Sequence, residues 1–167
     1  PNNGDLVPKE TDPTNELKPT IEEGLLLREA QEIDIPWPDF LIDELELDEP
    51  DLITEGKVLF QTKFCFTCHQ TEPAVPAPAG IALKATKYIG DFWGKETLVH
   101  DGNGFEVGLR GQLEKVVFGP GYFYDSLKTP TLWVARGALA PMPPPPPLTD
   151  GEIKALMAYV KSLSKPQ

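Results

Sequence analysis

Two stretches of helical periodicity bracket the last two thirds of the chain. In "DLITEGKVLFQTKFCFTCH", Leu52, Ile53, Gly56, Leu59, Phe60 and Phe64 recur at three- and four-residue spacing. That spacing gathers them on one face and predicts a helix with Asp51 as its N-cap. In "LTDGEIKALMAYVKSLSK", Ile153, Leu156, Met157, Val160 and Leu163 share a face in the same way, with Thr149 or Asp150 as the cap. Between the two, prolines, glycines and short segments dominate. There "DGNGF" predicts the turn of a short hairpin, and "GYFYDSLK" a short helix stopped by Pro130. The expected architecture is mostly α.

The first third reads differently. Residues 1–20 hold four prolines, several turn formers and little apolar material, and are expected to be extended or disordered. Thr20 with Glu23 fits a capping box before a short helix in "TIEEGLLLREA". "IDIPWPDFLIDELELDEPD" is too apolar for a plain linker and too interrupted by prolines for a helix. It suggests an extended arm that lays Trp37 and Phe40 on a surface of this chain or of a partner. The division is therefore an N-terminal extension or docking arm, 1–50, and a folded domain, 51–167.

Charge sharpens that division. Residues 1–50 carry 15 acidic and three basic residues, a net of −12, whereas residues 51–167 carry 11 acidic and 12 basic, a net of +1. Phosphate binding needs clustered Lys and Arg, so nucleic acid is not an expected partner. The acidic segment suits either a basic protein surface or a merely solubilising tail. A hydrophobic fraction of 40% is enough for a packed core, and no apolar run approaches the length of a membrane span. Beginning at Pro1 without Met, the sequence reads as a mature or trimmed product.

The chain's only two cysteines lie three apart, followed at once by one of its two histidines, in "CFTCH". Cys-x-x-Cys-His is the attachment signature of c-type haem. Two thiols on one helical turn can add to the vinyl groups of one porphyrin edge, which holds the next residue beneath the iron. Cys65 and Cys68 are then the covalent anchors of one haem c, and His69 the proximal ligand. Three alternatives are weaker. A thioredoxin-like pair wants a βαβ setting, which no pattern here provides. A structural zinc site wants four ligands, and the whole inventory is Cys65, Cys68, His69 and His100. A disulfide across so short a span is strained.

Function turns on the iron's second axial ligand. Met157 lies among apolar neighbours of the last helix and is expected in the core. His100, beside a turn, is expected at the surface. Met142 stands in "ALAPMPPPPPLTD", where prolines preset the backbone and can display a thioether at little entropic cost. Met142 is therefore the expected ligand, the alternative being an irregular or polyproline loop in which it only fills a gap. Phe60, Phe64, Ile81, Leu83, Phe92, Trp93, Leu113, Phe118, Tyr122, Leu127 and Leu132 are the expected apolar walls. Trp93, Tyr122 and Arg110 are candidates to reach the haem propionates, although for the two aromatics an ordinary place in the core is the preferred reading.

From Asp51 to Ser164 the chain resembles a class I cytochrome c, and is similar to the small haem domains fused to subunit II of some haem–copper oxidases. The resemblance is carried by "EGKVLFQTKFCFTCH", "FWGKE", "GYFYDSLKTP", the loop around Met142 and "LTDGEIKALMAYVKSL". It implies short helices wrapped round one haem, with Gly56 and Phe60 of the first helix against Tyr159 of the last. It also implies a backbone carbonyl near "APAG", at Pro76 or Pro78, that orients His69. The proline run after Met142 and the segment "VHDGNGFEVGLRGQLEKVVFGPG" are longer than the family pattern, no copper-ligand motif precedes the domain, and residues 1–50 have no counterpart.

The implied function is single-electron transfer between redox proteins of a respiratory or other periplasmic chain, without catalysis. The implied location is the periplasm or the outer face of the cytoplasmic membrane, with anchoring through a removed or unseen N-terminus. The alternative is a fixed haem subunit of a larger membrane-bound respiratory complex, held through residues 21–50. A haem enzyme is a third and weaker reading, because the region offers few acid–base groups.

Overall fold

A computed structural model of the chain describes residues 37–42, 44–101 and 113–166. The described chain is helix-rich, with one small antiparallel sheet. Helix α1 spans Pro50–Thr62, α2 Pro78–Leu83, α3 Pro120–Lys128 and α4 Asp150–Leu163; strands β1, β2 and β3 span Glu96–Asp101, Leu113–Val117 and Trp133–Ala135. The capping box at Thr20 and most of the "DGNGF" turn lie outside the described residues.

Helix α1 begins two residues earlier than its expected cap implies. Its N-cap is Glu49, and Pro50 takes the first helical position. Asp51, the expected cap, is already inside the first turn. Proline suits that place because its fixed φ is helical and its missing N–H is a donor the helix could not have used. At α4 the cap is Thr149, in a reciprocal box. Its hydroxyl accepts from the Glu152 N–H at 3.1 Å, and the Glu152 carboxylate accepts from the Thr149 N–H at 3.0 Å.

Helices α1 and α4 cross at Gly56. A Cβ there would stand 1.9 Å from the Ala155 carbonyl oxygen and 2.8 Å from the Tyr159 Cβ. Only a residue without a side chain lets the backbones approach this closely. One turn on, Phe60 meets Tyr159 edge to face, ring centroids 5.3 Å apart. Most of the apolar face of α4 is inside: Ile153, Leu156, Met157 and Val160 are buried, and Leu163 at its end is half-buried.

The described part of the arm is not extended. It folds into two 3-10 turns, Asp39–Ile42 and Glu44–Asp48, and Trp37, Phe40, Leu41 and Leu47 serve this chain's own core. Leu41 and Leu47 are fully buried, each contributing on the order of 1.5–3 kcal/mol. Trp37 donates its indole N–H to Asp125 at 2.9 Å and lays its ring on Gly121, where a Cβ would meet it at 2.5 Å. Phe40 packs edge-on to Tyr124. Ion pairs from Lys154 to Glu46 and from Lys161 to Asp48 join α4 to the second turn at the surface, where such pairs contribute little.

Strands β1 and β2 pair antiparallel, Glu96 opposite Val117 and His100 opposite Leu113, so the partner strand begins well beyond "DGNGF" and the connection is longer than the tight hairpin turn expected there. The third strand, β3, pairs with the other edge of β1. Neither β3 nor α2 has a periodicity long enough to predict it. Among the described residues, no helix is long and apolar enough to cross a membrane.

Candidate functional site

The chain leaves α1 through Phe64, which adopts the left-handed conformation at φ 63°. This reversal starts a 3-10 turn, Cys65–Thr67, closed by Cys68 N–H and His69 N–H donating to the Cys65 carbonyl at 3.3 and 3.0 Å. The turn sets Cys65, Cys68 and His69 along one wall of a largely apolar cavity of about 270 Å³. Both cysteines are free thiols. Helix α2 backs the turn so closely that a Cβ on Gly80 would stand 1.7 Å from the Cys68 carbonyl oxygen.

His69 Nδ1 lies 2.7 Å from the Thr86 carbonyl oxygen. A carbonyl only accepts, so Nδ1 carries the proton and Nε2 keeps its lone pair for a metal. Burial pushes the His69 pKa down, and the bond to Thr86 only partly opposes this, so the ring is held neutral. The orienting carbonyl is thus Thr86, not Pro76 or Pro78. Those prolines lie in the loop before α2 and at its first position, and the chain passes through all of α2 before it returns to the imidazole. Tyr88, two residues beyond Thr86, stacks on the His69 ring with centroids 4.9 Å apart and planes inclined by 16°.

Other walls of the cavity come from Phe60, Phe118, Tyr122, Phe123, Leu127 and Leu156. The proline-rich loop also lines this cavity, with half-buried Met142 on the lining together with Ala138, Ala140, Pro141 and Pro143–Pro146. The loop is fastened by the Leu139 N–H donating to the Leu83 carbonyl at 3.0 Å and by Lys63 Nζ donating to the Pro147 carbonyl at 3.4 Å. Burial pushes the phenol of Tyr122 up to about 12 and that of Tyr88 further up, so both are neutral donors. Burial likewise raises the Cys65 thiol.

Five expected wall residues lie elsewhere. Ile81 is exposed on the outer side of α2, and Leu113 is exposed at the sheet edge. Phe92 and Trp93 pack against Phe118 from behind, at centroid separations of 5.3 and 5.9 Å, and Leu132 does not reach the lining. Phe64 is on the rim, 65% exposed, because its left-handed backbone turns it outward. Tyr88, Trp133 and Val134 take the vacated positions.

Met157 is a core residue of α4, fully buried, although no part of it reaches the lining. His100 sits half-buried on β1, opposite Leu113 and Val134, and does not line the cavity. Among the described residues, no group of three or more His, Cys, Asp or Glu side chains is placed to hold a metal ion, so none of them completes the zinc alternative. Of the propionate candidates, Tyr122 lines the cavity, Trp93 does not, and Arg110 lies outside the described residues. A second depression, shallow and open, is lined by Lys84, Glu96 and Arg136 and touches the far side of Thr86.

Two functional residues escape sequence reasoning. Thr86 acts through its carbonyl, which every residue possesses, so no side-chain signal marks it. Tyr88 carries a signal only in being an isolated aromatic between a lysine and an isoleucine in "TKYIG". No protein-family model matches the chain, and no curated protein matches it.

Proposed function

We propose that this chain is a monohaem c-type cytochrome with a class I fold, passing single electrons between redox proteins. What supports the reading is one juxtaposition. The Cys-x-x-Cys-His turn and the lone loop methionine face the same apolar cavity, and Nδ1 of the histidine is already occupied by a carbonyl. The donor set fits haem c: two free thiols at attachment spacing, a neutral imidazole with Nε2 available, and a thioether. A haem held there supplies one-electron iron chemistry.

The protein's own residues determine how that chemistry is used. Cys65 and Cys68 tether the group, so the chain retains it through every turnover. Thr86 fixes the His69 tautomer and, by accepting from Nδ1, makes Nε2 a stronger donor. Met142 would hold the iron of a bound haem through its thioether, which together with His69 would leave no ligand position for oxygen or peroxide and would favour the reduced state relative to a second nitrogen. Phe60, Phe118 and Leu156 exclude water, and a dry pocket disfavours the extra positive charge of the oxidised state. On this reading the chain works in the periplasm or on the outer face of a membrane. The fixed-subunit alternative loses one support, because Trp37 and Phe40 are committed to this chain's own core.

Absorption spectra of wild type and Met142→Ala test the ligand set. The variant is expected to keep its haem and lose the red band of oxidised His–Met haem. Retention of that band in Met142→Ala would refute Met142 as ligand.

A further inference from the structure

His69 is restrained by more than its hydrogen bond. One N–H···O contact weakens steeply only when its angle falls below about 120°, so Thr86 alone leaves the imidazole free to rock out of its plane. Tyr88 closes that freedom. Its ring lies 4.9 Å from the imidazole and nearly parallel to it, and is itself wedged edge-on by Phe60 and Phe118 at 6.2 and 6.0 Å. The Tyr88 N–H donates to the Gln70 carbonyl at 2.9 Å. Residues 86–88 are thereby tied at both ends to residues 69 and 70.

Core packing alone would be served by phenylalanine or leucine. Tyr88 instead carries a hydroxyl to which no described residue hydrogen-bonds, on a side chain only 8% exposed that lines the cavity. Burying a hydroxyl without a partner forfeits its hydration and is destabilising. A bound group presenting an acceptor would offset that cost.

We infer that Tyr88 is a positioning residue for His69, its ring fixing the imidazole plane while its hydroxyl donates to an acceptor on the group the cavity holds. The inference rests on the haem reading above. It is tested on the haem-loaded protein with Tyr88→Phe and Tyr88→Leu. In the oxidised state, the order of the hyperfine-shifted porphyrin methyl resonances reports the direction of the imidazole plane. Tyr88→Phe is expected to keep the wild-type order and Tyr88→Leu to change it; wild-type order in Tyr88→Leu overturns the role of the ring. Tyr88→Phe is also expected to lower the folding equilibrium constant of the haem-loaded protein about three- to tenfold, the equivalent of one hydrogen bond. A loss smaller than about twofold overturns the role of the hydroxyl. If Tyr88→Leu does not fold, Tyr88→Met gives the same readout.

Wild-type protein that carries no haem is a different failure, visible in its mass before any variant is compared. The stack is then read in the haem-free chain from the ring-current shift of the His69 protons. That shift is expected in wild type and Tyr88→Phe and absent in Tyr88→Leu; equal shifts in all three overturn the stack.

Discussion

The wall that carries His69 and the wall that carries Met142 are held by different means. On the first, Cys68 and His69 donate to the Cys65 carbonyl, Nδ1 donates to Thr86, Tyr88 donates to Gln70, and Gly80 brings α2 against the Cys68 carbonyl. On the second, Met142 stands between Pro141 and the run Pro143–Pro147. Six of those seven residues have no N–H to donate, and each has its φ fixed by its own ring. The first wall is specified by contacts of the folded state. The second is specified largely by what its backbone is forbidden to do, an effect that acts through the unfolded chain. The two should therefore respond differently to substitution.

The largest response is expected at Gly80. Gly80→Ala puts a methyl inside the Cys68 carbonyl, so the turn must move, at a cost of about 3 kcal/mol. Thermal denaturation reads the loss, and incomplete haem attachment should accompany it. A stable, fully loaded Gly80→Ala protein would mean the first wall is not tightly specified. Next comes Trp37→Phe, which keeps most of the ring on Gly121 but removes the bond to Asp125. Hydrogen bonds to charged groups contribute about 1.5–3 kcal/mol, and a loss of that size in the unfolding free energy from denaturant titration would show that the arm props α3, and with it Tyr122 and Leu127.

A pH titration sharpens the contrast further. The His69 pKa is lowered in the folded haem-free chain, so the unfolded chain takes up a proton first as pH falls. The stability from keeping this ring neutral is present above about pH 6.5 and lost progressively below it, towards the lower folded value. In the haem-loaded protein the tethered iron would hold Nε2 in the unfolded chain as well as in the folded one, so neither state takes up this proton and the component should vanish; urea midpoints of the two forms should then diverge as the solution is acidified. Parallel curves would separate His69 from the iron. The smallest effect belongs to the second wall: Pro144→Gly should cost only about 0.4–1 kcal/mol, while loosening Met142 enough to weaken the red band.

The same contrast explains what could be read in advance. Helices α1 and α4 were legible because their apolar residues recur over three or more turns, and Gly56 and Thr149 mark a crossing and a cap that only a few residue types can form. The start of α1 was misplaced because Asp51 is a good cap in isolation, whereas Pro50 fits the first helical position and moves the cap to Glu49. Cys65, Cys68 and His69 were legible as local spacing, and Met142 as an isolated thioether among prolines. Thr86 and Tyr88 were not. Their roles arise when the chain returns after α2 to lie beside Gln70, a tertiary event that leaves no periodicity. Strand β3 was missed for a related reason, since three residues stabilised only by pairing with β1 carry no pattern of their own.

The central claim is that one haem is bound covalently through Cys65 and Cys68. Intact-mass measurement under denaturing conditions, on protein made in cells that mature c-type cytochromes, tests it most directly. The account predicts the polypeptide plus one haem, and the bare polypeptide when both cysteines are replaced by alanine. A wild-type chain at its unmodified mass, or an adduct that survives the double replacement, would contradict it.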